Sequence, residues 1–174
     1  MCHKTITENG EHIIPIGTKP QNLNKVLQYG AAQMNQLQKW IEVGYLNPNM
    51  PTQFASTVDW KDTSKPLAQR AKSYLDINCA HCHTDGGHCD YTQIRLNFSN
   101  TDDNLWGICT PVNFWDVDAS KIIYPGSAER SSIVLRMESN LTGPMMPMIG
   151  RSIVHEEGVA LIREWIDQMT YNCD

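Results

Sequence analysis

The stretch Arg70-Ala71-Lys72-Ser73-Tyr74-Leu75-Asp76-Ile77-Asn78-Cys79-Ala80-His81-Cys82-His83 decides how this chain is read. Its first part has helical spacing. Leu67, Ala71, Tyr74 and Leu75 fall on one face, Ser64 is suited to cap the start, and Pro66 suits the first turn. The second part is Cys79-x-x-Cys82-His83, the pattern by which a c-type haem is attached. Positions three and four apart on a helical turn share a face, so Cys79, Cys82 and His83 converge on one edge of a flat ligand. The two thiols would add to the haem vinyl groups as thioethers, and His83 would offer its imidazole to the iron. Two other chemistries use the same residue types. Cys79, Cys82, His88 and Cys89 form a candidate zinc set. A thioredoxin-like redox pair also needs Cys-x-x-Cys, but in a βαβ context that this sequence does not show.

Downstream of the motif, Asp85-Gly86-Gly87 is expected to end the helix, and residues 90–125 read as irregular. Ser127 to Met137 reads as a short helix after the Pro125-Gly126 turn. Residues 140–150 form a loop rich in proline and methionine. The clearest element is Glu156 to Met169, where Val159, Ile162, Trp165, Ile166 and Met169 make one apolar stripe, Leu161 lies at its edge, and acids occupy the first turn. Upstream, residues 1–20 read as loop. Leu23, Val26, Leu27, Met34, Leu37, Ile41 and Val43 then recur at mostly helical spacing up to Leu46. Gly30 splits that run into two short helices or bends one. Asn47-Pro48-Asn49-Met50-Pro51 ends it, and a polar linker runs to Ser64. Strand signals are weak, so the expectation is an all-α fold with long loops: an N-terminal loop and helical extension over 1–62, then a haem-binding domain over 63–174.

Composition narrows the function classes. The chain has 174 residues, 14 basic against 19 acidic side chains and a net charge of −5. Nucleic acid and anionic membrane surfaces call for basic patches, which this balance disfavours. No window approaches the roughly 20 apolar residues of a membrane span. Met1-Cys2-His3-Lys4 opens without the apolar core of a signal peptide. The expectation is a processed form or fragment of a periplasmic or otherwise extracytoplasmic protein.

Several stretches in order resemble the class I c-type cytochromes, and more narrowly the cytochrome c domains of bacterial di-haem proteins. They are Arg70-Ala71-x-x-Tyr74-Leu75 ahead of Cys79-Ala80-His81-Cys82-His83; Tyr124-Pro125-Gly126-Ser127 with Ser131; Met146-Pro147-Met148-Ile149-Gly150-Arg151; and Glu157-Gly158-Val159-Ala160-Leu161-Ile162-x-x-Trp165-Ile166. The resemblance covers about residues 62–174, although 90–117 matches no pattern of the family. It implies a cytochrome c-like fold in which the first and last helices cross beside the haem. It also implies that a methionine of the Met-Pro loop is the second axial ligand. Met146, placed just before Pro147, ranks first, with Met148 and then Met145 as fallbacks. His83/Met146 ligation fills both axial positions, which favours electron transfer with redox protein partners over catalysis. The alternative is the haem domain of a larger di-haem oxidoreductase or peroxidase.

Other residues carry secondary expectations. Cys89 and Cys109 flank a loop and are expected to form a disulfide in an oxidising compartment. Cys2-His3 has the form of the tail of a second haem motif, against the alternatives of an ordinary terminal dipeptide or of Cys2 pairing with Cys173. Arg151 and Arg95 are suited to haem propionates. Trp165, with Trp106 and Trp115, reads as core or haem packing. His12, His81, His88 and His155 carry no assigned role, and any of them has the chemistry to ligate a second haem.

Overall fold

The computed structural model describes residues 3–16, 19–51, 53–112, 119–170 and 172–173. Among these the expectation of an all-α fold is overturned. The protein is a small α/β structure with five α-helices and two antiparallel two-stranded sheets. Both sheets lie where the sequence was read as loop and helix. β1 (Lys4–Thr7) pairs with β2 (Gly10–Ile13) across Glu8-Asn9, and β3 (Val26–Tyr29) pairs with β4 (Ala32–Asn35) across Gly30-Ala31. Gly10 takes φ +104° and Gly30 φ +61°, conformations that glycine reaches without penalty and that close such turns. A helix through 26–35 would have gained little, since Val26 and Leu27 are exposed and present no face to a core. Only the flanks of that run are helical, as α1 (Pro20–Leu23) and α2 (Gln36–Glu42). Asn35 caps α2 by accepting the N–H groups of Leu37 and Gln38.

The hydrophobic core belongs to the C-terminal two thirds. α3 (Leu67–Asn78) and α5 (Glu156–Asp167) pack together, and α4 (Ser132–Glu138), preceded by a 3₁₀ turn at Ala128–Arg130, packs on α5. Most of the stripe anticipated on α5 is buried: Val159, Leu161, Ile162, Trp165 and Ile166 face the core, while Met169 lies past the helix end and is half-buried against it. Gly158 allows the contact with α3, because a Cβ there would stand 2.1 Å from the Tyr74 Oη. The irregular segment after the motif folds over the remaining face. Trp106 is fully buried, donates its indole N–H to the Asn100 carbonyl at 3.0 Å, and meets Trp165 edge-on.

Three local expectations change. Ser64 does not cap α3; its hydroxyl donates to Asp62 instead, and the helix begins after Pro66. The helix stops at Asn78, so the Cys79–His83 motif lies in the turns beyond it rather than within it. Cys109 pairs with Cys173, not with Cys89. The chain near Cys109 runs alongside Ile123, to whose carbonyl its N–H donates at 3.0 Å. That placement brings Cys109 to the tail beyond α5, while Cys89 is buried in the motif loop beside Cys82.

The N-terminal segment is fastened to this core at several points. Ile6 N–H donates to the Gly86 carbonyl at 2.8 Å, and Val58 N–H donates to the Ser73 hydroxyl at 2.9 Å. Lys19 Nζ sits 3.1 Å from Asp76 Oδ1, a carboxylate with no solvent exposure that also accepts the Phe98 N–H at 2.9 Å. Among the described residues, no helix is long and apolar enough to cross a membrane.

Candidate functional site

The end of α3 delivers the motif into a cavity. Cys79 closes the helix by donating its N–H to Leu75, and His83 N–H donates back to the Cys79 carbonyl at 3.0 Å. One helical-type turn therefore survives past the helix end and places Cys79 and His83 one above the other. Both side chains line a cavity of about 600 Å³, within the roughly 300–1,000 Å³ typical of cofactor sites. Ile94, Leu96, Ile122, Ile133, Met137 and Val159 supply apolar wall. Met146 and Met148 line the same cavity, from the loop between α4 and α5.

The methionine loop is pinned at both ends. Met146 N–H donates to the Arg136 carbonyl at 2.9 Å, and the Arg136 guanidinium reaches the Pro144 carbonyl at 3.3 Å. Arg151 uses its two Nη groups on the carbonyls of Arg136, Ser139 and Ile153 and on the Asn140 side chain. Its Nε is buried without a hydrogen-bond partner, and the residue lines the cavity. A buried guanidinium N–H with a donor to spare suits a carboxylate on whatever fills the space.

Burial and neighbouring charges set the protonation states of the motif side chains. Burial first, then the neighbouring charges of His81, Arg95 and Arg136, lower the His83 pKa to about 4, so at neutral pH it is a neutral imidazole. Burial, with Asp76 nearby, pushes the Cys79 thiol up to about 12. It is a weak acid here and would not be a reactive thiolate of the thioredoxin kind. Tyr74 is likewise raised to about 12, chiefly by burial. Its hydroxyl and His155 Nδ1 lie 2.9 Å apart with the rings stacked, and both residues belong to the cavity wall.

The structure brings together Cys79, His83, Met146 and Arg151, and leaves other expected site residues apart. Cys82 is half-buried in the same turn but is not part of the cavity wall. Met145 does not line the cavity, and Trp165 lies behind it in the core. Arg95 pairs with Asp85 and Asp90 and clamps its own loop through the Thr92 and Ile94 carbonyls. His3 is exposed at the start of the first hairpin, with Nδ1 3.3 Å from the Ile14 carbonyl; Cys2 and Trp115 lie outside the described residues. Among the described residues, no three His, Cys, Asp or Glu side chains stand together as a metal-holding group, so the zinc set is not assembled. His155, one of the four histidines to which the sequence assigned no role, also lines the cavity.

In comparisons with protein families, characterised proteins and solved structures, the chain matches none.

Proposed function

We propose that this chain is a c-type cytochrome that carries electrons by a haem bound covalently through Cys79 and Cys82. The observation that carries the reading is one cavity of cofactor size lined at once by Cys79, His83 and Met146. A haem bound there supplies one-electron Fe(III)/Fe(II) chemistry. The chain's own residues do the rest. His83 is held neutral and able to ligate, and Met146 offers a soft sulfur that favours the reduced iron. Met148, on the same wall but more exposed, is the fallback. Arg151 Nε would hold a carboxylate of the haem, and the apolar side chains would exclude water. If His83 and Met146 both held the iron of a haem, the protein would supply its ligands from both residues, which supports an electron carrier or relay domain working with redox protein partners.

The Cys109–Cys173 disulfide supports an oxidising compartment, so we place the protein in the periplasm or another extracytoplasmic space. The reduced protein is expected to show a c-type α band that survives acid-acetone extraction; haem that leaves on extraction would refute thioether attachment. Met146→Ala should remove the weak sulfur–iron band of the oxidised protein and open the iron to cyanide. Retention of that band in Met146→Ala, with its loss in Met148→Ala, would move the ligand to Met148. Retention in both would move it to Met145, and a wild type without the band would point to a histidine such as His155, which lines the same cavity.

A further inference from the structure

We propose that Thr92 is the positioning residue for His83, holding the imidazole proton on Nδ1 and leaving Nε2 as the ligand nitrogen; this rests on the haem reading above. Thr92 Oγ1 lies 2.8 Å from the Cys89 carbonyl oxygen and 3.5 Å from His83 Nδ1. A hydroxyl has one hydrogen, and a carbonyl oxygen can only accept. The Thr92 hydrogen therefore goes to Cys89, and what faces His83 is a lone pair. Against a lone pair, His83 Nδ1 must be the donor. A neutral imidazole carries a single N–H, so Nε2 is bare, which is the form a metal requires.

The surroundings hold the Thr92 backbone in place. Its own N–H also donates to the Cys89 carbonyl, at 3.0 Å, and its carbonyl accepts from Arg95 at 2.7 Å. Cys89 is tied in turn to the motif, donating its N–H to the Cys82 carbonyl at 3.0 Å. The His83 backbone is fixed from the far side of the loop by Leu96 N–H at 2.9 Å. Motif and acceptor are thus held in one frame. At 3.5 Å the contact to His83 is long, so it sets direction more than strength. A partner at the outer nitrogen of a ligating histidine fixes its tautomer and makes the ligand nitrogen more basic. Greater basicity stabilises Fe(III) over Fe(II).

The test compares Thr92→Val, which keeps the shape and removes the acceptor, with Thr92→Ser, which restores it. In the full chain prepared without haem, where no iron occupies Nε2, nitrogen NMR reads which His83 nitrogen is protonated. Wild type and Thr92→Ser should show Nδ1–H, and Thr92→Val should show a mixture of tautomers or the Nε2–H form. In the haem-loaded protein, Thr92→Val should shift the iron two- to five-fold toward Fe(II), an upward move in potential of about 18–41 mV at 59 mV per tenfold, while Thr92→Ser stays with wild type. An unchanged tautomer and potential in Thr92→Val would overturn the proposal. So would equal shifts in both variants, which would mark a packing role. Should wild type take up no haem, the haem reading fails, and the NMR comparison still decides the role of Thr92.

Discussion

Replacing Cys109 and Cys173 together by serine removes a crosslink that closes a loop of 64 residues. In the chain-entropy treatment, a loop of that length restricts the unfolded chain by about 4 kcal/mol. The folded state gives little of that back, because the Cys109 backbone is also held by its N–H bond to Ile123 and the tail follows α5 directly. For a chain of this size the loss corresponds to a fall of about 8–16 °C in Tm. The assay is urea unfolding of wild type and double variant, each with and without a reductant. Wild type should lose about 4 kcal/mol on reduction, and the variant should not respond. A variant within about 1 kcal/mol of wild type would refute the reasoning. Peptide mapping that joins Cys109 to Cys89 would refute the pairing itself.

Two further substitutions test the frame around the cavity. Gly158→Ala places a methyl group into the Tyr74 ring, with 2.1 Å to Oη and 2.3 Å to Cζ. The overpacking, typically about 1–3 kcal/mol, is expected to outweigh the roughly 1 kcal/mol that alanine gains in a helix. Equal stability of the two proteins in urea would contradict the observed α3–α5 contact. Asp76→Ala leaves Lys19 without its carboxylate and the Phe98 N–H without an acceptor. The expected loss is about 3–5 kcal/mol, as for other buried pairs broken from one side. A loss below about 1 kcal/mol would mean that water replaces the carboxylate.

Legibility differed sharply along the chain. Where one face of a helix meets the core, periodicity was enough: α5 lies within the expected span, and its stripe of Val159, Ile162, Trp165 and Ile166 is buried. α3 was legible for the same reason, whereas α4 was signalled by the Pro125-Gly126 turn before it and begins at Ser132 rather than Ser127. The N-terminal segment misled because its apolar residues serve no common face. Val26, Leu27 and Ile13 are exposed on two small hairpins, so their spacing carried no helical meaning. The turn signals were present in Asn9-Gly10 and at Gly30, and they outweighed the spacing. In the candidate site, Cys79, His83 and Met146 could be singled out because each bears distinctive chemistry. Thr92 and His155 could not, since their positions depend on how an irregular loop and a long connection return to the cavity. The one hint was the Cys89-x-x-Thr92 interval, which suits a hydroxyl bonding back three residues. The disulfide was misassigned because proximity in sequence favours Cys89 for Cys109, whereas the fold carries Cys109 toward the tail beyond α5.

The most direct test of haem attachment is the mass of the purified protein, made in a host that attaches c-type haem, together with its iron content and the mass of the peptide bearing Cys79 and Cys82. The account predicts one haem on that peptide, with neither thiol able to be alkylated, and at least one iron per chain. Any haem beyond this should map to the peptide bearing Cys2. A peptide of unmodified mass with both thiols open to alkylation, or stoichiometric zinc without iron, would contradict it.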